Sequence, residues 1–404
     1  MLRRIAVLIG MGILFGMVSL SCGGKFSLPT ESTESRAIPS DKSYQMVATW
    51  TGMSDITDIL LTQGQGTQLF LLFNHGGSGS TRGEVRSYAR LKPTGTPEPN
   101  AGIDFLTLFN PVALSLGGDG AFKPDNRIYV LDAGDTCEAR ANPATSRCDT
   151  TGGWGLKISD LSKYWRVREY GLLGGDTISS FTDTSVAVVA DTRLGVVHGI
   201  ASDAQGRVYV AGLAIINILD PSDPRIRTRT FQWRIYRYLR GPRYPGVDPP
   251  DYNMPGANWH RDTSWVVEEG SGIGTVVDPR GLSFGLYGGG ALYAADFAKN
   301  WTQKLSVESP STGFYQLDGG QTGLPFNGPV DVAADRSGFL YVVDQGNRRV
   351  LRYGPDAEYV QRVDVEPDPA GRPLSNPVAV AADDSLVYVG DPGLGQVIRY
   401  QRRP

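Results

Sequence analysis

Short apolar stretches recur in threes along this chain, in a fixed order and with polar turns between them. The pattern is clearest near the C-terminus. Pro329-Val-Asp-Val-Ala-Ala-Asp335 leads to Gly338-Phe-Leu-Tyr-Val-Val-Asp344, and Asn347-Arg-Arg-Val-Leu-Arg-Tyr353 follows. Pro377-Val-Ala-Val-Ala-Ala-Asp383, Leu386-Val-Tyr-Val-Gly-Asp391 and Gln396-Val-Ile-Arg-Tyr400 repeat the order. β-branched and aromatic residues fill each stretch while Asp, Gly and Asn bound it, which predicts three strands per block. Earlier copies begin at Pro111, Val197 and Pro279, and the most degenerate is Asp55-Ile-Thr-Asp-Ile-Leu-Leu61. The count comes to six.

A meander of this size cannot bury both faces alone, so neighbouring blocks must stack, and closing them into a ring covers most strand edges. The pattern therefore predicts an all-β, six-bladed β-propeller over residues 43–404. Its last block offers three strands before the chain stops. The β-rich segment Tyr44-Gln-Met-Val-Ala-Thr-Trp50 is expected to supply the fourth and so join the two ends. An immunoglobulin-like array would lack the Tyr-Val-x-Asp recurrence, and a β-helix would have a shorter period. The blocks resemble NHL repeats, in which Pro-x-[Gly/Asp]-Val-Ala-x-Asp, Gly-x-[Leu/Val]-Tyr-Val-x-Asp and Asn-x-Arg-Val-x-x-Tyr follow in order. Pro329 to Tyr353 matches closely, and the other copies keep two of the three parts.

Composition agrees with many turns and short strands, since the chain holds 51 glycines and 26 prolines. Its formal net charge of −3 argues against nucleic acid as the main partner. The N-terminus stands apart. Arg3 and Arg4 precede an uncharged apolar run from Ile5 to Val18, which has the proportions of a secretory signal and is short for a membrane span. Ser19-Leu-Ser-Cys22 then resembles a bacterial lipobox, with Ser19 where that pattern usually has Leu. The resemblance implies removal of residues 1–21, lipidation of Cys22 and, because Gly23 follows, an outer-membrane address. Residues 22–42 read as a flexible tether. The other two of the three cysteines, Cys137 and Cys148, lie in one polar segment and are expected to pair in an oxidising compartment.

Candidate chemistry lies at the starts of the innermost strands, where propeller ligands meet the channel. Those positions are Asp55, Asp58, Pro111, His198, Arg280, Asp331 and Asn376. Val197-His-Gly-Ile200 resembles the Pro-His-Gly-Leu element of peptidyl-hydroxyglycine amidating lyases, whose zinc is held by one such histidine from each of three blades. The matching positions here are Val112, Arg280, Val330 and Val378, and Val cannot ligate zinc. Gluconolactonase-type propellers hold calcium with a Glu, an Asn and Asp residues, which Asp55, Asp331, Asn327 and Asn376 match only in part. Asp203, Asp335 and Asp383 read as turn caps.

Two segments depart from the repeat. Arg225, Arg227, Arg229, Arg234, Arg237 and Arg240 run among Phe231, Trp233, Tyr236 and Tyr238, as an anion or glycan surface or as a charged outer blade edge. Gly241 to Gly270 carries Tyr244, Tyr252, Trp259, His260 and Trp265, as a loop for partner contact or as an aromatic plug on its own propeller. The sequence thus favours a lipid-anchored envelope propeller that binds or scaffolds without catalysis. An envelope protein or glycan is its expected partner, and no cofactor is expected. The alternative is a channel-centred metal-dependent hydrolase or lyase, lactonase-like or amidating-lyase-like, with calcium or zinc in the channel.

Overall fold

The computed structural model describes residues 43–62, 68–75, 83–89, 101–104, 108, 110–118, 124–133, 141–142, 147–148, 165–171, 188–189, 194–219, 227–240, 259–366 and 370–403. They form six four-stranded antiparallel sheets, each a blade of a propeller, and one two-stranded ribbon. Innermost strands are Ile56–Leu61, Pro111–Gly118, Leu194–Ser202, Pro279–Gly285, Pro329–Ala334 and Ala379–Ala382, for blades one to six in that order. Each blade runs outward from there in chain order, except the sixth. Its outer strand is Tyr44–Thr51, which pairs antiparallel with Gln396–Arg402 from Tyr44 opposite Arg402 to Thr51 opposite Gln396. The ring is latched as the residue pattern predicted.

Hydrophobic burial is divided among six clusters, one in each seam between neighbouring blades. Strand alternation explains how one strand feeds two of them. In Leu340–Asp344, Tyr341 and Val343 pack toward blade six, while Leu340 and Val342 pack toward blade four. Both faces are covered, so the whole strand is buried. The latch strand does the same at its two ends. Tyr44, 0% exposed, enters the seam with blade five and its hydroxyl meets that of Tyr341 at 3.1 Å. Trp50, 2% exposed, enters the seam with blade one and stacks on Tyr388.

The repeated aspartates hold turns and loops. Asp335 accepts hydrogen bonds from Phe339 N and Tyr341 Oη, and Asp203 accepts from Gln205 N, Arg207 N and Tyr209 Oη, as expected of turn caps. A second set closes the next strand. Asp296, Asp344 and Asp391 each accept backbone N–H groups from the loop before their blade's innermost strand. These ties fix the loops at the channel mouth.

The arginine-rich segment is the third strand of blade three, Arg227–Arg240, and Trp259–Val267 covers its C-terminal part as the fourth strand. The expected insertion therefore ends as regular blade, not as a loop. Arg237 is 4% exposed, ion-paired with Asp262 and set over the Trp265 ring at 5.5 Å. Arg234 reaches Glu268 at 3.0 Å. At Arg234 and Arg237 an exposed basic surface is therefore not what the stretch forms, while Arg225 and the side chains of Arg227, Arg229 and Arg240 lie outside the described residues.

Candidate functional site

The innermost strands of all six blades wall one cavity of about 460 Å³ on the ring axis, within the size range of small-molecule sites. Its mouth is shaped by a repeated irregularity. Where innermost and second strands pair, the register slips at matching repeat positions in blades one to five: Ile56/Asp58, Pro111/Ala113, Val197/Gly199, Pro279/Leu282 and Pro329/Asp331. A β-bulge takes a residue out of the ladder and re-aims its side chain. The residues freed this way include His198 and Arg280, and both line the cavity.

His198 and Arg280 converge on Asp278, which ends the loop before blade four. Arg280 donates from Nε and Nη2 to Asp278 Oδ2, at 3.1 and 3.0 Å. His198 Nδ1 lies 3.2 Å from Asp278 Oδ1. Burial alone would raise the Asp278 carboxyl, but the bonds from His198 and Arg280 prevail and hold it below the usual range. The Arg280 guanidinium sits over Phe297 at 3.5 Å, and the His198 ring packs on Trp233 at 4.9 Å. Two glycines let the blades approach here. A Cβ on Gly199 would fall 2.2 Å from the Arg280 carbonyl oxygen, and one on Gly281 would fall 2.5 Å from Asp331 Cα.

Asp58 and Asp331 occupy the same repeat position in blades one and five, and both line the cavity. Each carboxylate bridges to the next blade: Asp58 Oδ2 accepts from Leu114 N at 2.6 Å, and Asp331 Oδ2 accepts from Val380 N at 2.8 Å. Burial pushes the Asp58 carboxyl up to about 7, against the opposing pull of its backbone hydrogen bonds. Asp331 is driven well above the carboxylate range by burial and by the charge of Asp58. The two groups titrate as an interacting pair that retains a proton near neutrality.

Among the seven expected channel positions, Asp58, His198, Arg280 and Asp331 line the cavity, while Asp55, Pro111 and Asn376 do not. Asp55 is exposed and holds His75 Nδ1 at 3.1 Å. Asn376 is exposed and accepts from Gln345, which itself lines the cavity. Asp278 escaped sequence reasoning altogether. Of the expected partner loop, Tyr244 and Tyr252 lie outside the described residues, and so does the Trp259 side chain. His260 is half-buried in the outer strand of blade three. Trp265 is 0% exposed and donates from Nε1 to Ser306 O, so it is core and not a contact surface. Cys22 and Cys137 lie outside the described residues. Cys148 is described only in its backbone, opposite Ala141 in the ribbon.

The resemblances imply zinc or calcium, and the channel residues do not fit either ion. Its second repeat position reads Thr57, Val112, His198, Arg280, Val330 and Val378, with a single imidazole. Among the described residues no group of three or more His, Cys, Asp or Glu could hold a metal ion. The Arg280 guanidinium further places a fixed positive charge on the one carboxylate beside His198.

No known protein family matches the sequence. No curated protein matches it either. Many solved structures share similarity with the chain, and two of them illustrate it. One is a structural-genomics target described as a candidate gluconolactonase, with 11% identity over 90% of this chain and 93% of that one, at a TM-score of 0.47. The other is a catalytically inactive variant of virginiamycin B lyase from Staphylococcus aureus with quinupristin, with 10% identity over 89% of this chain and 99% of that one, at a TM-score of 0.40. The expectation of a non-catalytic binding or scaffolding module does not stand beside this channel and the side chains that converge in it. It rested on the lack of a converging constellation, and the β-bulges bring one together.

Proposed function

We propose that the protein is a channel-centred hydrolase or lyase that works on a small substrate taken into the axial cavity. The observation that carries this reading is the Asp58–Asp331 pair. A carboxyl that titrates near 7 in a walled cavity is what general acid–base catalysis at neutral pH requires. In the same cavity, the Asp278 carboxylate holds one imidazole and one guanidinium at the wall, where they can take up a proton and polarise a carbonyl or anionic leaving group.

The test is turnover by the purified protein on a panel of lactones, esters and substrates prone to β-elimination, between pH 5 and 9. At least one should be converted, and Asp58→Asn should lower kcat by about 10²-fold or more with the fold retained. Failure to convert any member of the panel overturns the proposal. Because the donor set does not suit a metal, chelation followed by dialysis should leave that turnover unchanged within twofold.

We also propose that the chain is exported and anchored through lipid on Cys22, with Cys137 and Cys148 paired. The lipobox-like run and the cysteine placement support this. Cys22→Ser should move the protein from the membrane fraction to the soluble envelope fraction.

A further inference from the structure

We infer that His198 is the base of this channel and that Asp278 is its positioning residue, an assignment that rests on the hydrolase-or-lyase reading above. His198 comes from a β-bulge in blade three and Asp278 from the loop entering blade four, so the pair spans a seam. That loop is fixed from behind, since Asp278 N donates to Asp296 Oδ1 at 2.9 Å. Arg280 occupies Asp278 Oδ2 with two donors. The other oxygen, Oδ1, is left to face His198 Nδ1.

Both of these facing atoms are buried and, with the ring as placed, neither has a hydrogen-bond partner, their 3.2 Å approach falling short of a hydrogen bond in geometry. Buried polar atoms are seldom left unpaired. A small turn of the ring brings a proton on Nδ1 into line with Oδ1 and satisfies both atoms together, whereas a bare Nδ1 leaves both unsatisfied. The neutral imidazole therefore carries its proton on Nδ1 and its lone pair on Nε2. Trp233 packs on the ring, and the close approach of Gly199 to the Arg280 carbonyl fixes the backbone beneath it.

This arrangement divides the proton work between His198 and the carboxylate pair, which wall the same cavity. In hydrolysis, Nε2 takes a proton from water as its oxygen bonds to the acyl carbon. The bond from that carbon to the leaving oxygen breaks, and the leaving oxygen takes the proton held by Asp58 and Asp331. Channel solvent then carries the imidazolium proton back to the carboxylate pair. In elimination, Nε2 takes the proton from carbon instead, and the same acid protonates the leaving group. Asp278, held ionised by Arg280, stabilises the imidazolium in either case.

The chain has three histidines, so ¹⁵N-histidine NMR of the intact protein resolves the tautomer, with His198→Gln giving the assignment. In the parent protein the neutral His198 should show a protonated Nδ1 and a bare Nε2. Asp278→Ala should exchange the two, and Asp278→Asn, which keeps an acceptor, should restore the parent pattern. A bare Nδ1 in the parent, or no change in Asp278→Ala, overturns the positioning role. In turnover, His198→Gln should lower kcat by about 10²- to 10⁴-fold with KM within a few fold. Retained kcat in that variant overturns the base assignment. A parent with the expected tautomer and no turnover on any substrate class overturns the enzymatic reading instead, so the two failures are distinguishable.

Discussion

Asp58 and Asp331 oppose the stability of the ring they help to fasten. Each ties its blade to the next through a backbone N–H, yet ionising either one places a charge in a desolvated wall near the other. An unfolded Asp loses its proton near about pH 3.9, whereas Asp58 in the folded channel holds its proton up to about 7. Between those values the folded state binds more protons than the unfolded one. Stability from this group is therefore greatest at the acid end and falls as pH rises toward 7. Asp58→Asn should raise the melting temperature clearly at pH 8 and little at pH 4, which calorimetry at the two pH values measures. Gly199→Ala should act in the other direction. Its Cβ meets the Arg280 backbone oxygen at 2.2 Å, and overpacking of this kind costs about 1–3 kcal/mol, seen as a lower melting temperature and a displaced His198. The site was legible in the sequence only as far as strand starts could be marked. His198, Arg280 and Asp331 stood out because the repeat aligns them. The bulges then decide that His198 and Arg280 reach the channel, and in blade one Asp58 on the strand lines it while Asp55 before the strand does not. Asp278 carried no signal, because its role depends on a histidine from the neighbouring blade.

Blade three shows what is lost when an element departs from the repeat. Residues 241–270 lack the Tyr-Val-x-Asp signature, and their aromatic content suggested a surface. The second half is nonetheless an outer strand whose Trp265 fills the seam with blade four, together with Tyr209 at 4.9 Å. Trp259–Val267 carries no apolar alternation, since 260–264 are polar and 265–267 apolar, and a register shift interrupts its pairing, so no strand signal marked it. Trp265→Ala should destabilise the protein by about 3–5 kcal/mol, as removal of a large buried aromatic does, measured by chemical denaturation. A surface residue would cost almost nothing. Arg237 presents a second consequence of the same packing. With Asp262 it forms a buried pair that also reaches Val307 O and Ser309 Oγ. Loss of the arginine alone leaves a buried carboxylate unpaired, at a cost of about 3–5 kcal/mol. Asp262→Asn in the same chain should recover part of that stability.

The whole molecule was the most legible scale, because a repeat announces its own architecture. Six copies, the turn-capping aspartates and the latch strand all follow from apolar alternation and spacing. What such a pattern leaves out is the channel, since a repeat describes what blades share and the site is made of what they do not. Blades three and four contribute His198 and Arg280 where the others carry Thr or Val. Joining the first strand to the last also sets an order of events. Tyr44 pairs with Arg402, so the strand 44–51 has no partner until the residues of blade six have been made. Five blades can assemble as they emerge, but the segment 44–51 must wait, a β-rich strand with its backbone donors and acceptors open to other chains. Ring closure should then be the slow final phase of refolding, reported by burial of Trp50 against Tyr388. Protein interrupted before Gln396 should sediment with itself rather than as a monomer.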